Sequence, residues 1–388
     1  MRRPWSAAIA TVLLLTLGGA APSAVTLHTG TDANGAFYTM AVPRNWNGAL
    51  VVFAHGGPDL ATYRPEPSAV VLDQGYAWAA SSYRRGGYGV RMAAADTENV
   101  RRLFVARYGR PARTYLHGES YGGNVAAKAA ELYPRSWDGV LLTNGLLAGG
   151  SRGYDARVDL RIVYRYYCHD KPLDECTGRD RDDILAVTRI PERALDVHWQ
   201  YATTLLPDIV DNRLGGRNPF SNRGVRYTGS HDDEALNAGV ERFDADPTAR
   251  RDLSYDSDLT GLVSAPVLTL HAIGDPQVFV ENEAAYRATF RGGDLVQTFT
   301  TETEHGGLSG AEYVTALAAL DAWVRTGRKP SPRSIAESCP SGCFFDPGFR
   351  PAAYGTRVRP RPGGTSWPAM TDAQERTWSR IVGVGIGL

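Results

Sequence analysis

Four short strings carry the residue types of nucleophilic acyl transfer: HGGP at residues 55–58, GESYGG at 118–123, GDP at 274–276 and EHGG at 304–307. A serine hydroxyl is a poor nucleophile until an imidazole takes its proton during attack. A carboxylate on the other ring nitrogen fixes the tautomer and stabilises the imidazolium. Ser120 sits in a G-x-S-x-G string, where Gly118 and Gly122 leave room for a strand and a helix to meet in a strained turn. In a chain with 42 glycines that string is a weak signal by itself. Its context decides.

On an open parallel sheet such a set runs serine, acid, histidine along the chain. The eight histidines are at 28, 55, 117, 169, 198, 231, 271 and 305, and only His305 follows Asp275. Asp275 stands just past the apolar run VLTLH, at a strand's C-terminal end, where parallel sheets place their sites. Asp258 and Glu302 are less well-placed substitutes. His305 follows LVQTFTTETE and precedes two glycines, as an imidazole presented on a loop would. Ser120, His305 and Asp275 are therefore the expected nucleophile, base and acid. Charge developing on the attacked carbonyl needs backbone N–H donors, each typically worth about 3 kcal/mol. Tyr121, next after the serine, is one expected donor. Gly57, in the glycine loop after ALVVF, is the other, with Gly56 close behind, because glycine lets backbone approach a substrate. His55 is read as a brace for that loop. Glu119 can tune the site or simply support the turn.

These residues need elements to hold them. GAFYTMAVP, GALVVFA, YAWAASSYR, RTYLHG, DGVLLTNG, APVLTLHAIGD and LVQTFTTETEH read as strands, several of them apolar enough to be buried on both faces. Helical spacing is read over 92–108, 121–133 and 311–326. Strands separated by such helices imply crossover connections and a mainly parallel sheet. Ser120 thus falls between a predicted strand and a predicted helix. The rhythm breaks near residue 150, and helical pieces at 155–168, 181–205 and 232–242 read as an inserted cap over 151–260. The core is expected in two parts, 25–150 and 261–327, with a Pro- and Gly-rich tail over 328–388.

Composition excludes some roles. Lys plus Arg and Asp plus Glu are both 42, so no net field favours nucleic acid or anionic membrane. Arg2 and Arg3, the apolar run Ala7 to Leu17 and the small residues GGAAPSA describe a secretory leader over 1–24, cut between Ala20 and Ala24. That run would rise only about 16 Å as a helix, roughly half a bilayer core, and no other stretch is long and apolar enough to span a membrane. In an exported chain Cys168, Cys176, Cys339 and Cys343 are expected to form disulfides. Three pairings are possible; short loop closure favours Cys168–Cys176 and Cys339–Cys343, although CPSGC is tight. The spacings do not match common zinc motifs.

The strings HGG after a strand, GESYGG, GDP and EHGG together resemble the α/β-hydrolase superfamily, over roughly residues 36–150 and 261–327. The resemblance implies a mainly parallel sheet of about eight strands with helices on both faces and a cap after the sixth. It also implies hydrolysis through a covalent acyl-enzyme, with no metal or organic cofactor. Within the superfamily, VPRNWNGALVVFAHGG and LDAWVRTGRKP look like secreted esterases of the feruloyl-esterase or tannase-like type, with fewer cysteines than their heavily cross-linked members. HGGP with GESYGG looks like proline iminopeptidases and related aminopeptidases, and GES also occurs in serine carboxypeptidases. Iminopeptidases usually read HGGPG, whereas Asp59 follows Pro58 here. The expectation is a secreted serine esterase acting on a small-molecule or polymer-derived ester; the alternative is an exopeptidase on the same triad. A non-catalytic binding protein of this fold would have no reason to keep the three groups in order. Oligomeric state and acyl preference stay open. In the cap, RVDLRIVYRYYCHD sets Tyr164, Tyr166 and Tyr167 beside Arg161 and Arg165, and VHWQY adds His198, Trp199 and Tyr201. These could wall an acyl pocket, with the arginines meeting a carboxylate or phenol. The preferred reading is a structural one, a cap helix that packs its aromatics on the main domain.

Overall fold

The computed structural model describes residues 25–62 and 64–361. The expected leader at 1–24 and the end of the expected tail, from residue 362 onward, lie outside the described residues. Eight strands form one sheet: β1 (Val25–Thr31), β2 (Phe37–Pro43), β3 (Ala49–Ala54), β4 (Ala77–Ser81), β5 (Arg113–Glu119), β6 (Gly139–Thr143), β7 (Val267–Ala272) and β8 (Leu295–Thr300). The main-domain helices are α1 (Ala69–Asp73), α2 (Val90–Tyr108) and α3 (Tyr121–Leu132). Between β6 and β7 run α4 (Gly150–Gly153), α5 (Asp155–Cys168), α6 (Arg179–Thr188), α7 (Leu195–Pro207), α8 (Asp233–Gly239) and α9 (Pro247–Ser257). α10 (Glu281–Thr289), α11 (Gly310–Thr326) and α12 (Pro332–Ser338) follow.

The spatial order is β1-β2-β4-β3-β5-β6-β7-β8. β2 is antiparallel to β1 and β4, and every pairing from β4 to β8 is parallel. This is the α/β-hydrolase fold, with the insertion after the sixth strand. The chain lays β4 outside β3 and then returns to place β5 on β3's other edge. Such a reversal leaves a crevice at the strands' C-terminal ends, where ligands of open sheets bind.

Side chains alternate across the sheet and divide the core in two. Leu50, Val52, Leu116 and Leu142 face α2 and α3, where Val100, Phe104 and Val125 meet them. Val51, Trp78, Tyr115, Leu141 and Leu268 face α11, against Leu317, Leu320 and Trp323. α11 starts on a capping box of Ser309 and Glu312 and ends on Gly327 in the left-handed region, which fixes both its length and the loop ahead of it.

Three features depart from the sequence reading. β1 is a strand that the sequence did not announce, since its outward side chains are largely exposed and it gains its order from pairing with β2. The helix expected over 181–205 is broken between α6 and α7, where Arg189 turns left-handed and Pro191 lacks the N–H a continuing helix needs. The described part of the tail carries a helix that the sequence did not announce: α12 packs beside β8, and Phe345 pairs with Thr300. Arg357 and Arg359 then donate to carbonyls of Arg189, Val187 and Thr228 in the insertion. Disulfides join Cys168 to Cys176 and Cys339 to Cys343, the two short closures.

Candidate active site

Ser120 is the single residue between β5 and α3, with φ at 58° and ψ at −124°. That left-handed strain, of order 1–3 kcal/mol for a non-glycine residue, persists because its surroundings over-determine it. The Ser120 N–H donates to Thr143 O at 3.1 Å, and the Ser120 carbonyl accepts from Gly123 N (3.0 Å) and Leu146 N (2.9 Å). A side chain at Gly118 would overlap the Gly122 carbonyl and Ala126, and one at Gly122 would overlap the Ala54 carbonyl. The two glycines are thus required by close approach of β5, α3 and the end of β3. The serine hydroxyl does not cap α3, the ordinary task of a serine at a helix N-terminus.

Asp275 follows β7 and is fully buried as a side chain. Its Oδ1 accepts from Gln277 N (2.8 Å) and Val278 N (2.9 Å), and its Oδ2 accepts from His305 Nδ1 at 2.6 Å. A carboxylate so held makes Nδ1 the protonated nitrogen and leaves Nε2 as the acceptor. His305 retains 16% side-chain exposure, enough for a substrate to reach it. Asn144, directly after β6, was not singled out from the sequence, yet it ties these parts together. Its amide donates to His305 O at 2.6 Å and accepts from Ala272 N at 2.8 Å. Consecutive residues at the tip of β6 therefore hold the serine's backbone, through Thr143, and the histidine's, through Asn144. The only local signal for Asn144 is the string TNG at a strand end. No hydrogen bond joins Ser120 Oγ to His305 among the described residues; such bonds commonly tighten only when substrate binds.

The loop after β3 lies against the serine. A Cβ on Gly56 would stand 3.0 Å from Ser120 Cβ, and Gly57 has φ at 64°, a conformation that suits glycine. Tyr83 stacks on His55 at 4.0 Å and donates its hydroxyl to His55 O, so this histidine braces the loop as expected. Tyr121 buries its ring, and its phenol oxygen accepts from Gly89 N. Its N–H is the first of α3 and has no preceding turn to donate to.

Asp258, the alternative acid, is engaged elsewhere, accepting from Ser151 N at 2.9 Å and from the Ser151 hydroxyl. Glu119 is half-buried and lines a cavity of about 350 Å³ with His117, Thr143 and Tyr313. Burial pushes its carboxyl up; His305 opposes that and Asp275 adds to it. His198 reaches down from α7 and donates Nε2 to Pro276 O at 2.8 Å, bracing the acid loop from the cap.

Buried histidines make the fold acid-sensitive. Burial pulls His55 down to about 4 and His117 and His198 down to about 3, from the ordinary 6.5. At His271 burial also lowers, but Glu283 and Asp275 outweigh it and the net direction is up. The unfolded chain protonates all four near 6.5, so the three depressed groups contribute stability that is whole above that pH and is lost as pH falls towards their folded values. His271 works in the opposite sense. We expect the three depressed groups to cost about 2 kcal/mol each between pH 7.5 and pH 5. His271 and Asp155, whose carboxyl burial raises to about 6, return part of this, and urea unfolding measures the net loss. Equal stability at the two pH values would contradict this.

The cap departs from the functional reading of its arginines. Arg161 and Arg165 line a separate cavity of about 760 Å³ with Trp199, Phe220 and Phe243, and none of Ser120, Asp275 and His305 borders it. Arg165 pairs there with Glu241 at 3.1 Å. The rings of Tyr164 and Trp199 lie 4.0 Å apart at a tilt of 37°, in keeping with the structural reading. The arginine beside the site is Arg157, one helical turn earlier and buried, with its Nη2 reaching Gln277 O in the acid loop.

No family model and no curated protein matches the chain. Among solved structures it is similar to an acylaminoacyl peptidase of Pyrococcus horikoshii, at 13% identity over 81% of this chain and 44% of that one, with a TM-score of 0.46. It is also similar to an esterase from Aspergillus oryzae, at 15% identity over 79% and 81% of the two chains, TM-score 0.46. A third is the mouse alpha/beta hydrolase domain-containing protein 10, at 13% identity over 78% and 100%, TM-score 0.42. The chain spans less than half the length of the peptidase. Likenesses at this level say nothing of reaction or substrate; the fold assignment rests on sheet order and elbow.

Proposed function

We propose that this chain is an exported serine hydrolase that cleaves carboxylic esters, with Ser120 as nucleophile, His305 as base and Asp275 as the acid that orients it. The observation that carries the reading is the 2.6 Å bond from His305 Nδ1 to the buried Asp275, set beside a strained serine whose backbone is held by the same strand tip. Ser120 Oγ attacks the ester carbonyl while His305 Nε2 takes its proton. The Gly57 and Tyr121 N–H groups receive the developing oxyanion. The tetrahedral adduct collapses as the imidazolium gives its proton to the departing alkoxide. Water, deprotonated by the same imidazole, then releases the acid and restores the serine.

The string HGGPD, in place of the iminopeptidase HGGPG, favours ester over peptide. So does a buried cation beside the acid loop, which would repel a free amino terminus. The leader and two disulfides support export. Kinetics on 4-nitrophenyl acyl esters and on aminoacyl and prolyl anilides test the choice. We expect every productive ester to be turned over faster than any anilide. Faster hydrolysis of a prolyl anilide than of any ester would replace the esterase reading with the exopeptidase one.

A further inference from the structure

Arg157 is a buried cation that takes part in none of the proposed bond-making and bond-breaking steps. It lies in the first turn of α5 and is 5% exposed. A guanidinium carries five donors in a fixed fork and keeps its charge at any working pH. Its bonds here are poor: Nη1 reaches Gly153 O at 3.2 Å, Nη2 reaches Gln277 O at 3.4 Å, and Nε has no acceptor among the described residues. Arg250 and Arg359, buried to a similar degree, each make a carbonyl bond of 2.6 Å. Of the acids that share its helix, Asp159 is hydrogen-bonded by Arg361 at 3.0 Å, and Asp155 faces the same arginine at 3.5 Å. What Arg157 does have is a stacked setting, with its guanidinium 5.2 Å from the rings of both Tyr154 and Tyr201. A charge taken out of water without a partner is costly, and two tyrosine faces and two long bonds do not offset it.

Its place gives that deficit a meaning. Gly153, whose carbonyl takes Nη1, lies against the side chain of Leu146, and the Leu146 N–H holds the Ser120 carbonyl. Gln277, whose carbonyl takes Nη2, gives its own N–H to Asp275. The guanidinium therefore sits in the wall shared by the nucleophile turn, the acid loop and cap helix α7.

We infer that Arg157 is the anion subsite of this active centre, and that the substrate is an ester bearing a carboxylate, which the guanidinium grips. The inference rests on the reading of Ser120 as nucleophile. The carboxylate can belong to the acyl half or to the alcohol half.

Two matched pairs decide between these: mono-4-nitrophenyl glutarate against 4-nitrophenyl valerate for the acyl half, and 3-acetoxybenzoate against phenyl acetate for the alcohol half. The wild-type protein is expected to prefer the anionic member of one pair by about tenfold or more in kcat/KM, the scale of one charge-assisted contact. Arg157→Gln is expected to abolish that preference, with a larger loss on the anionic ester than on the neutral one. Arg157→Lys, which keeps the charge but not the fork, is expected to retain part of it, and it serves where the glutamine variant does not fold. Hydrolysis of both members with no preference in either pair overturns the subsite and leaves the esterase reading standing. A preference that survives in both variants overturns it too. Failure to hydrolyse any ester, together with no labelling by a fluorophosphonate, instead removes the esterase reading on which the subsite depends.

Discussion

Ser120→Ala should lower kcat on 4-nitrophenyl esters by about 10⁵- to 10⁶-fold, or about 7–8 kcal/mol of transition-state stabilisation, the scale seen when a serine hydrolase loses its nucleophile. The same change should abolish covalent labelling by a fluorophosphonate probe. The fold should barely notice. Alanine keeps the Cβ and so keeps the strain at φ 58°, and the hydroxyl makes no capping bond that could be lost. The melting temperature is therefore expected to stay close to that of the parent chain. Glycine at the same position would relieve the strain and raise stability by about 1 kcal/mol while remaining equally inactive. Activity and stability would then move in opposite directions, as expected of strain held at a reacting group. Labelling that persists in the alanine variant would place the nucleophile elsewhere.

Asp275→Asn should cost about 10⁴-fold in kcat, through the tautomer rather than through loss of shape. The carboxylate accepts on both oxygens, two backbone N–H groups on Oδ1 and the imidazole on Oδ2. An asparagine that keeps its oxygen on the Gln277 and Val278 N–H groups must turn its NH₂ towards His305. That makes Nδ1 an acceptor, moves the ring proton to Nε2, and leaves the imidazole unable to take the serine proton. The flipped amide would set its NH₂ against two backbone donors, so it offers no escape. Steady-state kinetics at pH 8 measure the effect, and a loss below tenfold would show that another group orients His305.

The elements of the candidate site are legible because each is announced locally. A glycine on either side of a serine, an aspartate after a buried strand and a histidine ahead of two glycines are signals a few residues long, and chain order leaves one histidine for the role. The sheet was legible for a similar reason, since strands buried on both faces are continuous apolar runs. β1 was not: its outer face is solvated and its order comes from pairing with β2. Asn144 was hidden because a hydrogen bond from the tip of β6 to a loop 161 residues away leaves no trace in spacing.

The cap shows where sequence ends and packing begins. Arg157, Arg161 and Arg165 are spaced four apart, so on a helix they share one stripe, and nothing in their pattern separates them. The sequence by itself determined that the sheet is mainly parallel, and which serine, acid and histidine could meet. Only the tertiary structure decided that α5 enters the domain at its first turn and leaves towards solvent along its length. It thereby buries one guanidinium beside the acid loop and turns the other two to an outer cavity. Periodicity fixes direction around a helix axis; depth along that axis is set by what the helix packs against, which here is chain more than a hundred residues away.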